Sequence, residues 1–194
     1  MMPGRKCLRK TLDNHRDYGT ILTVKETRTL REKIMGLDMY MKASRYVSGY
    51  NHSSDDEKAL FKKITKVANM TALVSSDAPS VTVRTNVAYW RKANSIHNWF
   101  VKNLANGVDE CQEIYVSVGD MQQLVDECKS ALKLYRAGQV SEAGKKMPPA
   151  EGFFFGDTAV DDYWAEDLIL TIEQLEPLIA VGDDELNFYY RASW

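Results

Sequence analysis

The sequence predicts an α+β fold, a predominantly helical single domain carrying a small antiparallel sheet, and three observations support that expectation. Residues 36–44 and 186–194 alternate apolar and polar with a period of two, the signature of half-buried strands. The segments between them repeat apolar residues at helical spacing. A composition of 44% apolar residues, 10% of all residues being aromatic, over 194 positions is ample for one core.

Each element follows from its local chemistry. Leu37, Met39, Met41 and Ala43 fall on one side of the first strand, with Asp38, Tyr40, Lys42 and Ser44 on the other. Residues 50–54 form a turn. Ser54 and Glu57 make a capping box that opens a helix with Leu60, Phe61, Ile64, Val67 and Ala68 on its apolar face. Residues 75–80 form a loop, and an aromatic helix is expected from about Thr85 to Leu104, ending at Asn106-Gly107.

Glu113 to Val116 reads as a short extended piece, and Ser117 with Asp120 as a second capping pair. The helix after it carries Met121, Leu124, Val125, Cys128, Leu132 and Tyr135 on one stripe and stops at Gly138, which makes Cys128 a core thiol. Residues 138–152, with Pro148-Pro149, read as a surface loop. The last helix presents Val160, Trp164, Leu168, Ile172, Leu175 and Ile179, and Pro177 is expected to kink or end it near Leu175. The tail alternates Leu186, Phe188, Tyr190, Ala192 and Trp194 against Asn187, Tyr189, Arg191 and Ser193. Pairing this strand with the one near 36–44 would put Arg191 close to Asp38.

Charge divides the chain. Residues 1–34 hold nine Lys/Arg against four Asp/Glu, whereas residues 35–194 hold sixteen against twenty-three, so a basic N-terminal extension precedes a domain of net −7. An acidic body argues against general affinity for nucleic acid, and only the extension could serve as a basic arm. Leu30 to Ile34 can be encoded by purine-rich triplets resembling a ribosome-binding site, which makes Met35 the expected natural start. No apolar run approaches the roughly 18–20 residues of a membrane span, and no signal-peptide h-region is visible. Three widely spaced cysteines, Cys7, Cys111 and Cys128, fit reduced thiols in the cytoplasm.

The densest segment runs from Tyr89 to Val101, where Trp90, Trp99 and Phe100 accompany Arg91, Asn94 and His97. Read as a helix at about 100° per residue, it carries His97 into the apolar face, between Leu104 and Trp90, with Asn94 at the edge and Arg91 further round. A buried imidazole without a partner costs about 1–3 kcal/mol. His97 is therefore a core histidine satisfied by a backbone carbonyl or a Tyr hydroxyl, a wall of a pocket built from Trp90 and Asn94 with Arg91 at its mouth, or a general base. No partner nucleophile identifies itself for the last role.

The Gly-flanked triplet Phe153-Phe154-Phe155 stands before a helix, as a phosphate loop would, but Asp157, Asp161 and Asp162 already satisfy the helix dipole and would repel an anion. The pairs Asp157/Asp161 and Asp162/Glu166 could hold Mg²⁺ or Ca²⁺, or simply be a solvated acidic helix start. Neither the histidines His15, His52 and His97 nor the cysteines show zinc spacing, and phosphate-loop, dinucleotide, nucleophile-elbow and metalloprotease motifs are absent. No metal and no cofactor is expected.

Four ordered segments then suggest kinship: Met-Gly-Leu-Asp-Met-Tyr at 35–40, Tyr-Trp-Arg-Lys-Ala-Asn-x-Ile-His-x-Trp-Phe-Val at 89–101, Glu-Gly-Phe-Phe-Phe-Gly at 151–156, and the ending Phe-Tyr-Tyr-Arg-Ala-Ser-Trp. The chain resembles a family of small uncharacterised proteins of bacteriophages and of bacteria carrying related elements, across nearly all of residues 35–194. The resemblance implies Met35 as the start and a setting in the host bacterial cytoplasm, and carries no established activity. The expected function is accordingly a binding or interaction module for a small polar ligand or a host protein, with Trp90, Arg91, Asn94, His97, Phe154, Tyr189 and Arg191 as ligand-binding candidates. The alternative is a small hydrolase or transferase with His97 as general base and Arg91 or Arg191 as an electrostatic clamp. A homo-oligomer stays open.

Overall fold

A computed structural model describes residues 36–182 and 184–194; the expectations about a basic arm in residues 1–34 and a start at Met35 lie outside the described residues. Strand β1 (Asp38–Ser48) pairs antiparallel with β2 (Ser80–Arg91) on one side and β4 (Leu186–Ser193) on the other. Strand β3 (Ile114–Val116) pairs with the far side of β4, so the sheet order is β2-β1-β4-β3. The fold is α+β, and the pairing of the first strand with the last is the one that the two alternating segments predict.

Period-two burial sets the two faces of the sheet. Leu37, Met39, Met41 and Ala43 are buried, as are Phe188, Tyr190 and Ala192, while Asp38, Tyr40, Arg191 and Tyr189 lie on the opposite face. Arg191 stands opposite Tyr40 rather than beside Asp38, whose carboxylate is taken by Arg91 at 2.7 and 3.0 Å. The expected Arg191–Asp38 neighbourhood is thus a diagonal one on the same face, and β2, which the sequence reading lacked, brings the cation that pairs with the carboxylate.

Strand β2 is the main departure. The run expected to be one helix from Thr85 is strand through Arg91; the backbone then turns at Lys92, with φ of 60°, and helix α2 (Asn94–Leu104) begins. The alternation of Val81, Val83, Thr85 and Val87 suits the pleated surface, and a bulge at Val87 shifts the register between Met41↔Ala88 and Lys42↔Asn86. Trp90 is buried as expected, but from the sheet: its indole N–H donates to Thr171 at 3.0 Å and its ring meets Phe100 edge-on. The free edge of β2 at Tyr89 is covered by Gln174, whose side-chain amide accepts from Tyr89 N at 2.8 Å and donates to Tyr89 O at 3.1 Å.

Helix α1 (Asp55–Val67) is capped by Ser54, which accepts from Glu57 N at 3.2 Å. The box is only half formed, because the Glu57 carboxylate instead accepts from Ser48 N and holds the end of β1. Phe61 of this helix packs so closely on Gly49 that a Cβ there would stand 2.7 Å from the ring. A short 3₁₀ turn follows at Thr71–Leu73.

Helix α3 (Val118–Arg136) has the complete capping box of Ser117 and Asp120, buries Met121, Leu124, Val125, Cys128 and Leu132, and ends in a Schellman turn at Gly138. Residues 138–152 are not all loop. Helix α4 (Val140–Lys146) occupies half of them, its Ala143 buried against the core. Helix α5 (Asp162–Val181) runs through Pro177 to a left-handed cap at Gly182, so of the two expected effects of the proline, a kink or an end near Leu175, the helix does not end there. Burial of Leu168, Thr171 and Leu175, with Leu178 and Ile179 packed against the core, outweighs the roughly 3 kcal/mol that proline costs a helix interior. Among the described residues, no helix is long and apolar enough to cross a membrane.

Candidate functional site

Three segments distant in sequence meet at the N-terminal end of α5 and enclose a cleft of about 460 Å³. One wall is the β2–α2 turn with Arg91, Lys92 and Asn94; the second is Gly156-Asp157, at the end of the Phe triplet; the third is the start of α5, with Asp161, Tyr163, Glu166 and Asp167. Two of the segments singled out in the sequence, Tyr-Trp-Arg-Lys-Ala-Asn and Gly-Phe-Phe-Phe-Gly, thus contribute to one concavity.

The turn is built around Lys92. Its left-handed conformation is one that side-chain-bearing residues seldom adopt, and it is held by Lys92 N donating to Leu37 O at 2.8 Å while Lys92 O accepts from Asn94 N at 2.8 Å. Two glycines make room for the lysine stem. A Cβ at Gly36 would lie 2.9 Å from Lys92 Cε, and one at Gly156, itself at φ of 90°, would lie 3.4 Å from Lys92 Cβ. Asn94 is buried and fixes the second wall, donating to Phe155 O at 3.2 Å and Asp157 O at 2.7 Å. Its neighbour Ser95 carries the one buried side-chain polar atom without a partner among the described residues.

The carboxylates of the cleft are in different states. Asp157 accepts from Ala159 N and Asp161 caps α5 by accepting from Trp164 N, each at 3.1 Å. Among the described residues, the carboxylates of Glu166, which is exposed, and Asp167, which is half-buried, have no hydrogen-bond or ion-pair partner. Burial pushes the Asp167 carboxyl up to about 7, with further push from the Glu166 and Asp161 charges. An unpartnered acid poised near neutrality, facing a cleft that also holds a lysine, is a feature of binding and catalytic sites. Among the described residues no group of three or more His, Cys, Asp or Glu is arranged to hold a metal ion.

His97 lies elsewhere. It is 1% exposed and both ring nitrogens are engaged, Nδ1 with the Tyr190 hydroxyl at 2.8 Å and Nε2 with Asp109 at 2.9 Å. An ionised carboxylate only accepts, so Nε2 carries a hydrogen; in the neutral ring Nδ1 then accepts from Tyr190. Burial, together with the Asp109 charge, pushes the Tyr190 hydroxyl well above the usual tyrosine range, which keeps it protonated as a donor. Phe155 stands edge-on to the imidazole and Phe100 stacks on Tyr190 at 3.9 Å, so His97 and Tyr190 are sealed in the core, while Asp109 at the outer end of the chain is partly exposed and also accepts from Trp194 Nε1 at 3.3 Å. The geometry is that of a core histidine satisfied by a Tyr hydroxyl, one of the three arrangements open from sequence.

Among the described residues, the seven ligand-binding candidates lie in different surroundings. Arg91 and Asn94 line the cleft. Trp90 and His97 are enclosed in the core. Phe154 is half-buried, and its carbonyl accepts from Leu37 N at 3.1 Å, tying the Phe loop to the start of β1. Tyr189 and Arg191 lie on the open face of the sheet, where Arg84 stacks over the Tyr189 ring and Arg191 donates to Cys111 O at 3.2 Å. The helical angle that grouped Trp90 and Arg91 with His97 does not apply to strand residues. Sequence reasoning missed Lys92 and Asp167; the i, i+1 pair Glu166-Asp167 on a helix just after a capping aspartate was the available signal.

No family model matches this chain, and no curated protein or solved structure is similar to it.

Proposed function

We propose that the protein is a binding module of the phage accessory type, working in the host cytoplasm, and that the cleft at the start of α5 takes a small polar ligand carrying an amine. The observation that carries this reading is the pair Glu166 and Asp167, two carboxylates without partners at one wall of a 460 Å³ cleft, the second of them pushed to about 7 by burial. A bound ammonium group would supply the counter-charge that the fold withholds. Lys92, across the cleft and without an ion-pair partner among the described residues, suits an acidic or carbonyl group on the same ligand. The binding reading is preferred to a small hydrolase or transferase because His97, the general base that alternative would use, has both nitrogens engaged and is 1% exposed.

A thermal-shift series with alkylammonium ions, polyamines and amino-acid amides tests the reading, run in parallel on the wild type and Asp167→Asn. An amine that binds the cleft at about 100 times its Kd stabilises the wild type by about 2.7 kcal/mol. That stabilisation is expected to grow as pH rises through about 7, where Asp167 ionises, and to vanish in Asp167→Asn. Stabilisation that is equal in both proteins, or absent for every amine, sinks the proposal.

A further inference from the structure

We infer that the open face of the sheet is a platform for single-stranded nucleic acid, distinct from the cleft except at Arg91, which borders both. Alternation along the strands places one family of side chains on this face. Opposite one another across β2, β1 and β4 stand Tyr89, Tyr40 and Arg191; in the next row stand Asn86, Lys42 and Tyr189, with Tyr115 of β3 beyond. The two rows are two residues apart along the strands, about 7 Å.

The rings form two pairs. Tyr40 and Tyr89 are 5.2 Å apart by ring centroids, and Tyr115 and Tyr189 are 5.9 Å apart. Tyr115 is 55% exposed and Tyr89 43%, so a solvent-accessible ring stands towards each edge of this one face, with Lys42 and Arg191 between them. Bases stack on such rings with little regard to sequence, and phosphates seek the cations beside them.

Charge points to the same occupant. The face carries Lys42, Arg84, Arg91 and Arg191 against Asp38 and Glu113, a local excess of two positive charges on a domain of net −7 over residues 35–194. Both carboxylates are clasped: Asp38 by Arg91, and Glu113 by Arg84 at 2.8 and 3.1 Å, with Lys42 3.9 Å away. The acidic remainder would repel a polyanion and confine it to this surface. An apolar protein partner would want Leu, Ile or Phe here, and the exposed apolar surface in these two rows is tyrosine alone. A duplex hides its bases from stacking, so the rings favour the single strand.

Fluorescence anisotropy with a labelled twelve-nucleotide oligothymidine, its RNA counterpart and a duplex of the same length tests the inference on the full chain. Expected are salt-dependent binding of the single strands, weaker binding of the duplex, a loss of about tenfold or more in Tyr115→Ala, a larger loss in Tyr115→Ala/Tyr189→Ala, and a shallower salt slope in Lys42→Ala. These positions are on the surface, and a circular dichroism melt checks that each variant folds. Absence of single-strand binding at low salt overturns the proposal. So does duplex binding of equal strength, or an affinity that survives both tyrosine substitutions, since either outcome assigns the contact to charge alone.

Discussion

Replacing Asp167 with asparagine should make the protein more stable, and by an amount that depends on pH. In the fold the Asp167 carboxyl rises from 3.8 to about 7, mainly through burial, so between those values the native state holds a proton that the unfolded chain releases. Stability therefore falls as pH rises from about 4 to about 7 and stays lowered above that. A rise from 3.8 to about 7, at about 1.4 kcal/mol for each tenfold in proton affinity, would give about 4 kcal/mol. Asp167 is only half-buried, and screening by water reduces this to roughly 2 kcal/mol. Asparagine keeps the shape and has nothing to ionise. Urea unfolding of both proteins at pH 4, 6 and 8 is the assay, with the difference expected to be near zero at pH 4 and about 2 kcal/mol in favour of the variant at pH 8. A difference that does not change with pH, or an asparagine variant weaker at pH 8, would refute the idea that the fold holds an uncompensated carboxylate in the cleft.

Two more substitution and labelling experiments follow from the core. Tyr190→Phe removes the hydroxyl that satisfies His97 Nδ1 and leaves the nitrogen buried without a donor; chemical denaturation should show a loss of about 1–3 kcal/mol, and an unchanged midpoint would mean that His97 is not held as described. Cys128 is buried beneath α3, and burial holds its thiol above the ordinary range, so alkylation by iodoacetamide at pH 8, followed by peptide mapping, should leave it unmodified until denaturant is added. Rapid native labelling of Cys128 would show that the α3 stripe opens.

The sequence was most legible where one physical rule governs a whole segment. Met39, Met41, Phe188 and Tyr190 alternate because their strands have one wet and one dry face, and the α3 stripe repeats because the helix has one buried side. His97 could be assigned to the core because Asn94 to Leu104 is helical, whatever precedes it. The aromatic run as a whole misled, since it joins a strand and a helix at a single residue, and Lys92 is not a type that advertises a left-handed turn. Pro148-Pro149 likewise masked helix α4. The cleft was out of reach: Lys92, Asp157 and Asp167 are neighbours only after α5 docks on the β2–α2 turn. The same holds for charge, which averages to an acidic domain along the chain and separates into faces only once the strands align.

The sheet ends at Tyr89 in a side chain. Gln174 presents one N–H and one C=O to the β2 backbone at the geometry of a neighbouring strand, so a residue on a helix occupies the place where a second molecule's strand would otherwise dock. Because the imitation is one residue long and borne by α5, the sheet cannot propagate past this point while the helix stays docked. Protection against self-association at that edge is thereby coupled to the integrity of helix packing, and a lesion that loosens α5 from α3 would expose the Tyr89 edge and lower solubility.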